Sequence, residues 1–157
     1  MDCTFLTEQG RFNYRVGAII LSGGKVLMAR NPQEKRVFYY SVGGRVKFGE
    51  SLTEAVIREV REETGVDCEV DRIACIHENF FTDDDGVRFH EVSAFFLIKP
   101  CEELLNLHSG QLTDQAQAGE YLEWIDLHRC EITIYPEFLR TVDFGADREI
   151  RHFVTYE

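Results

Sequence analysis

Three glutamates within five consecutive residues, Glu59, Glu62 and Glu63, are the side chains of this sequence best suited to chemistry. Residues three and four apart lie on one face of an α-helix, so a helix here gathers all three carboxylates. Their repulsion costs about 0.2–0.5 kcal/mol for each exposed pair, and folding alone gives no reason for that cost. A hard divalent cation with oxygen ligands does give one, so the spacing predicts a metal site.

The residues before the glutamates predict that helix. Residues 51–54, SLTE, have the form of a capping box, which starts the helix at Leu52, and Gly65 suits the left-handed position that commonly ends a helix. Leu52, Ala55 and Val56 fall on the same stripe as the three glutamates. An ordinary amphipathic helix would stay apolar along that stripe. We therefore expect the helix to pack at its start and to open onto a polar site at its end.

The segment Gly44–Val66, GRVKFGESLTEAVIREVREETGV, resembles the Nudix box, whose pattern is G-x5-E-x7-R-E-U-x-E-E-x-G-U with U an apolar residue. Every fixed position is filled, by Gly44, Glu50, Arg58, Glu59, Val60, Glu62, Glu63, Gly65 and Val66. On this basis the sequence is identified as a member of the Nudix, or MutT-like, family.

The resemblance implies how the site is built. The three glutamates are expected to bind Mg²⁺ or Mn²⁺, together with a backbone carbonyl at Gly43 or Gly44. Magnesium suits this set because it keeps several waters and binds through few carboxylates plus substrate phosphates. Glu50 is expected to support the site from its edge. Arg58 lies beside the carboxylates, where it can pair with Glu50 and orient it.

The resemblance also implies a reaction: water attacks phosphorus and cleaves a nucleoside diphosphate linked to another group. Glu50, Arg58, Glu59 and Glu62 are the expected catalytic residues of the box. The general base comes from the box in some family members and from a glutamate on a later loop in others. Glu120, just before a predicted strand, is the candidate outside the box, and Glu123 is the alternative to it.

Candidate substrate contacts are less clearly marked in the sequence. Tyr40 and Phe81 can stack on a base, as can Tyr39, Phe80 and Phe89, although aromatic residues on strands usually belong to the core. Arg45 can meet phosphates, and so can Arg15 and Arg30, although an arginine on the surface is usually only solvated.

The residues after the box narrow the substrate only by exclusion. The segment 76–82, IHENFFT, lacks the segment linked with NADH cleavage in the family. Thr82 stands near a proline typical of ADP-ribose enzymes, and Asp83 and Asp84 near a tyrosine typical of dinucleoside-polyphosphate enzymes. A nucleoside triphosphate or nucleotide-sugar substrate is therefore preferred. An ADP-ribose or dinucleoside-polyphosphate hydrolase, or a nucleotide-sensing module without turnover, is the alternative.

Composition bounds the partners. A formal net charge of −11 argues against binding a nucleic-acid polymer, which needs basic patches, but not against a small phosphorylated substrate beside bound cations. Five scattered cysteines without a C-x-x-C pair favour free thiols in a reducing cytoplasm. No apolar run suggests a membrane span or a signal peptide. We expect a cytoplasmic protein without a membrane partner, and a homodimer is possible.

The order of predicted elements indicates the fold class. Strands are expected at 14–21, 25–29, 37–42, 69–80, 87–98, 121–125 and 150–155, with helices at 52–64 and 136–142. The segment 100–119 is expected to be irregular, with a helical turn near 102–105. Strands outnumber helices without alternating with them, which predicts α+β with a mixed sheet in a single domain, residues 1–157. The Nudix fold, an α/β/α sandwich around a central mixed sheet, fits this order.

Overall fold

The computed structural model of the chain describes residues 1–113 and 119–157. Its strands are β1 (Thr4–Thr7), β2 (Gly10–Ile19), β3 (Leu21–Ser22), β4 (Lys25–Arg30), β5 (Tyr39–Ser41), β6 (Gly43–Arg45), β7 (Val70–Thr82), β8 (Arg88–Ile98), β9 (Tyr121–Asp126), β10 (Ile134–Tyr135) and β11 (Arg151–Tyr156). Its helices are α1 (Leu52–Thr64), α2 (Glu102–Leu105) and a 3-10 helix, Glu137–Arg140. Residues 114–118 of the segment expected to be irregular lie outside the described residues.

The local sequence signals set both ends of α1. Ser51 Oγ accepts a hydrogen bond from the Glu54 N–H at 3.2 Å, and a Glu54 carboxylate oxygen accepts one from the Ser51 N–H at 2.8 Å. Gly65 adopts a φ of 75° and donates its N–H to the Arg61 carbonyl. The predicted capping box and the glycine terminus are both confirmed.

The strands form two mixed sheets. The first has the order β1-β2-β8-β7-β11, with β6 beside β2, and combines the parallel pair β2–β8 with the antiparallel pair β7–β8. The second has the order β10-β5-β4-β3, with β9 beside β4. The backbone bonds Ala18 N–H to Val42 O and Leu27 N–H to Ile20 O join the two sheets. The α+β assignment is confirmed.

The helix predicted at 136–142 differs from the structure. Only Glu137–Arg140 is helical, as a single 3-10 turn. The turn buries Phe138 and Leu139 against the first sheet, where Phe138 stacks on Phe153 with ring centroids 4.1 Å apart. A single turn is enough to bury these two adjacent side chains. The chain therefore leaves the helical conformation after Arg140.

Strand β2 divides the core. Val16, Ala18 and Ile20 pack with the apolar side of α1, whereas Ile19 packs on the opposite face of the sheet with Phe95. This alternation is the period-two pattern of a strand covered on both faces. The apolar start of α1 is thus buried, and its acidic end lies where β6 runs beside β2. Among the described residues, no helix is long and apolar enough to cross a membrane.

One histidine is built into the core on the face away from α1. His77 is 6% exposed, and its ring packs edge-on against Phe138. The Thr155 hydroxyl donates to Asn79 Oδ1 at 2.6 Å, so it accepts from His77 Nε2 at 2.8 Å. Burial lowers the pKa of His77 from 6.5 to about 4, because the apolar surroundings disfavour the charged ring.

This depressed pKa predicts a loss of stability in acid. At a pH above about 6.5 His77 is neutral in both the folded and the unfolded chain, so it adds no pH dependence. As the pH falls toward about 4, the unfolded chain binds the proton first. Between about pH 7.5 and 4.5 the free energy of unfolding should therefore drop by roughly 2–3 kcal/mol through this residue.

Urea unfolding of the wild type and of His77→Gln at both pH values measures this effect. The variant keeps a side-chain N–H donor for Thr155 but does not titrate, so its stability should change less between the two values. Equal changes in the two proteins would show that His77 does not titrate on unfolding.

Candidate active site

The guanidinium of Arg58 is the centre of the site. Arg58 donates from Nε and Nη2 to the two oxygens of Glu50, at 2.7 and 2.9 Å, in a bidentate pair. Arg58 Nη1 donates to Glu59 at 2.7 Å and to Glu62 at 3.1 Å, and Nη2 also donates to the Arg45 carbonyl. One cation therefore holds three carboxylates and one backbone carbonyl, and the predicted pair of Arg58 with Glu50 is present.

These contacts stabilise the charged forms of Arg58 and Glu50. The hydrogen bonds from Arg58 lower the pKa of Glu50, and the bonds to Glu50 in turn raise the pKa of Arg58. Glu50 also accepts from the Lys47 N–H at 2.9 Å, which attaches it to the loop before α1. Glu50 is consequently a fixed anion that orients Arg58.

Glu59 lies against the glycine loop. A Cβ on Gly44 would come within 2.5 Å of the Glu59 carboxylate carbon, so only glycine leaves room for this side chain. A Cβ on Gly43 would meet the Val16 carbonyl oxygen at 2.2 Å, since β6 runs directly beside β2. Burial raises the pKa of Glu59, and the bond from Arg58 opposes that rise.

Glu63 is the most deeply buried acid of the site. One of its oxygens accepts from the Gly43 N–H at 3.3 Å, and Oε2 is buried without a hydrogen-bond partner among the described residues. Burial raises its pKa well above the usual range, and the neighbouring Glu120 raises it further. A buried acceptor without a donor is destabilising unless something else binds it.

Glu62 completes the acidic end of α1. It is bound by Arg58 and lies 3.9 Å from Lys47 Nζ. Two of the three glutamates are thus held by Arg58, and the third faces Gly43. In the part of the chain that the structure describes, no three His, Cys, Asp or Glu side chains form a ready-made metal cage.

The arrangement nevertheless fits a magnesium-like ion. Such an ion takes few protein ligands and keeps water and substrate oxygens for the rest of its shell. Glu63 Oε2 offers a buried lone pair. Because Gly44 has no side chain, the Glu59 carboxylate can lie close to the backbone there. Glu59, Glu62 and Glu63, with the carbonyl of Gly43 or Gly44, are the residues that would hold the ion. Their role as ligands stays a prediction.

The structure brings Glu120, the candidate base outside the box, to this site. The Tyr40 hydroxyl donates a short hydrogen bond to Glu120 Oε2, and the charge of Glu120 acts on buried Glu63. Burial, and then the bond to Glu120, raises the pKa of Tyr40. Glu123, the alternative, pairs with Met28 in the second sheet, where its charge acts on Tyr39. Geometry therefore favours Glu120 over Glu123.

The candidate substrate contacts divide into two groups. Arg15 is near the site, because its charge lowers the pKa of both Glu59 and Glu63. Arg45 lies beside it in β6, and its guanidinium is 3.7 Å from Asp2. Tyr40 is also at the site, but its hydroxyl is bound to Glu120.

Phe81 is not brought to the glutamates. It stacks on Phe89 with centroids 4.8 Å apart, and Phe89 is in register with Arg11 of β2. Arg11 is five residues, or about 17 Å, from the position opposite Gly44. The length of the β7–β8 hairpin thus places Phe81 far from the glutamates, whereas it was expected to stack on the base of a nucleotide bound there. Arg30, which bonds to the Tyr121 hydroxyl at 3.2 Å, lies in the second sheet.

Sequence reasoning missed two contributions to the site. The N–H of Gly43 binds Glu63, and the Lys47 side chain faces Glu62. The contact of Gly43 cannot be predicted from side chains, since it depends on the backbone of β6. The only sequence signal for the contact with Glu62 is that Lys47 lies inside the box.

Comparison with known proteins agrees with this geometry. A family model described as NUDIX domain matches residues 11–142. Putative nudix hydrolase 1 of Caenorhabditis elegans is 38% identical over 73 residues, which cover 43% of this chain and 20% of that protein. The NAD-capped RNA hydrolase NudC of Pseudomonas aeruginosa is 43% identical over 62 residues, which cover 40% of this chain and 22% of that protein. The chain thus matches only about a fifth of the length of these relatives.

A solved structure shares the fold. The mutator MutT protein of Bacillus halodurans superimposes with a TM-score of 0.67 at 20% identity, covering 92% of this chain and 90% of that one. The match of the family model spans most of the chain. It begins in β2, ends at Val142 just after the 3-10 helix, and includes the whole box. The chain belongs to the Nudix hydrolase family.

Proposed function

We propose that this protein is a divalent-metal-dependent pyrophosphohydrolase that cleaves the diphosphate of a nucleoside diphosphate linked to another group. The observation that carries the proposal is the acidic end of α1. There, Glu59 and Glu63 flank the Gly43–Gly44 backbone, and Glu63 keeps a buried oxygen without a partner. A fold that needed only stability would not leave that acceptor unpaired.

Each charged side chain of the site has a distinct role in the proposed reaction. Bound at Glu59, Glu62 and Glu63, a divalent ion would neutralise the oxygens of the diphosphate and of the departing phosphate. Arg58 and Glu50 keep the carboxylates oriented, and the positive charge of Arg15 favours the ionised forms of Glu59 and Glu63. Glu120 takes a proton from the attacking water, an oxygen–phosphorus bond forms, and the anhydride oxygen–phosphorus bond breaks.

The substrate class is part of the proposal. Nucleoside triphosphates and nucleotide sugars both carry the required diphosphate. The relative named as an NAD-capped RNA hydrolase suggests dinucleotide substrates as a further candidate, although the segment 76–82 lacks the sequence linked with NADH cleavage. A nucleotide-sensing module without turnover is disfavoured, because such a module has no need to keep every acid of the box.

A substrate panel tests the proposed function. Nucleoside triphosphates, nucleotide sugars, ADP-ribose, NADH and dinucleoside polyphosphates are assayed for released phosphates with Mg²⁺ or Mn²⁺. We expect metal-dependent turnover of at least one compound, and Glu59→Gln should lower kcat/KM roughly 100-fold or more by removing a ligand charge. Glu69→Gln is the matched control, since Glu69 is exposed and pairs with Lys99, away from α1. Full activity in Glu59→Gln would contradict the assigned role.

The glycine loop gives a test of metal binding that does not depend on turnover. Mg²⁺ should raise the Tm of the wild type, by a stabilisation of about 2.7 kcal/mol when its concentration is 100 times Kd. Gly44→Ala should lose most of this shift, because its methyl group displaces the Glu59 carboxylate. An undiminished shift in a folded Gly44→Ala protein would show that the ion binds elsewhere.

The pair of Tyr40 with Glu120 gives a test of the general base. Tyr40→Phe removes the hydroxyl that orients Glu120, so kcat should fall about tenfold, with KM changed less than about threefold. Tyr135→Phe is the control, because it removes a hydroxyl from the neighbouring aromatic cluster, and this hydroxyl makes no hydrogen bond within residues 1–113 and 119–157. If Tyr40→Phe and Glu120→Gln both keep the wild-type kcat, the base is a glutamate of the box.

A further inference from the structure

A hydrogen-bonded row of polar side chains crosses the first sheet beside the candidate active site. Val16 of β2 is in register with Gly44, and Arg15 with Arg45 and with Ser93 of β8. Two residues farther from the loop, Asn13 is in register with Glu91. Since side chains alternate along a strand, Asn13 and Arg15 point to the same face of the sheet.

Asn13 is fixed in one orientation. Its side chain is 1% exposed, and its Oδ1 accepts from the Thr4 hydroxyl at 2.7 Å, while Nδ2 donates to Glu91 Oε1 at 2.7 Å. Turning the amide over would set its carbonyl oxygen against the carboxylate, so the charge of Glu91 selects this orientation. A buried asparagine in a strand rich in valine and isoleucine adds nothing to the apolar core. Its effect is to hold Glu91.

Glu91 is held through one oxygen only. Arg15 Nη1 lies 3.6 Å from the same Oε1 that accepts from Asn13. The Glu91 side chain is 13% exposed, and among the described residues no donor is recorded at Oε2. The lone pairs of Oε2 are therefore left for a donor from outside the chain. A preoriented carboxylate with one unsatisfied oxygen is suited to select such a donor.

The position of Glu91 restricts the chemical group that can supply this donor. Arg15 connects the two regions, since it approaches Glu91 and its charge also acts on Glu59 and Glu63. Two residues along β2 correspond to about 7 Å, so Glu91 lies farther from the glycine loop and its neighbouring glutamates than Arg15 does. A carboxylate repels phosphate oxygens, and it therefore faces a group attached to the diphosphate rather than the diphosphate itself.

We propose that Glu91 is a specificity-determining residue that binds the vicinal diol of a sugar attached to the diphosphate. Two adjacent hydroxyls donate to one carboxylate, as an acidic residue does to ribose in dinucleotide-binding folds. The diol belongs either to the ribose of the nucleotide or to a sugar beyond the diphosphate. The inference rests on the proposed function, whose substrate it specifies.

Two substrate pairs separate these sources. ATP and dATP differ only in the ribose diol, and ADP-glucose and ADP-3-deoxyglucose differ only in the 3-hydroxyl, without which the outer sugar has no vicinal diol. For one pair we expect the wild type to prefer the diol about ten- to a hundredfold in kcat/KM, because a hydrogen bond to a charged acceptor is lost without it. Glu91→Gln should reduce that preference to within about threefold while keeping the bond from Asn13.

Glu78→Gln is the matched control. Glu78 also lies on the first sheet, but in register with Val92 and on the opposite face, where it pairs with His152. Its substitution should leave both preferences unchanged, and Tm measurements establish that both variants are folded. If Glu91→Gln alters neither preference, or alters both no more than Glu78→Gln does, the assignment is wrong.

Failure of the proposed function is recognised separately. If the wild type turns over no compound, the proposed hydrolysis is wrong, and binding decides the role of Glu91. The Tm shifts produced by ADP and dADP, and by ADP-glucose and ADP-3-deoxyglucose, are then compared in the wild type and in Glu91→Gln. A larger shift with a diol-bearing compound that disappears in the variant supports the diol site. Equal shifts overturn it.

Discussion

The ion pairs of Arg58 are the interaction on which the site depends. A chain with a net charge of −11 brings Glu50, from the loop before α1, together with Glu59 and Glu62 of the helix, and the single guanidinium of Arg58 binds all three. Its planar donors also reach the Arg45 carbonyl, which connects the helix to the glycine loop. Without this cation, half-buried carboxylates would repel one another or bind protons, and neither state would hold a metal ion.

Glu63, unlike the other three acids, is not bound by Arg58. Burial raises its pKa, and one of its oxygens has no partner among the described residues. Leaving such an acceptor unpaired costs about 1–3 kcal/mol. Local rules of good packing are commonly broken where function requires it. The stable carboxylates bound by Arg58 and the poorly satisfied Glu63 are therefore complementary parts of one candidate site.

Strand β2 links the core to the site. Its residues Val16 and Ala18 pack against α1, while Asn13 and Arg15 on the other face connect the acidic region to Glu91. Because β6 pairs with the same strand, the position of the glycine loop depends directly on the packing of the core. The sheet thus positions both the acidic residues of the candidate site and the region around Glu91.

The sequence alone determined the limits of α1, the spacing of its acids and most strands, because caps, turns and periodicity act over a few residues. Tertiary structure decided what depends on distant contacts. It placed Glu120 beside Tyr40, 80 residues away in the chain, paired Asn13 with Glu91 across 78 residues, and carried Phe81 away from the glutamates. It also formed β1, β6 and β10, which are only two to four residues long, since pairing partners and burial, rather than local preference, stabilise such short strands.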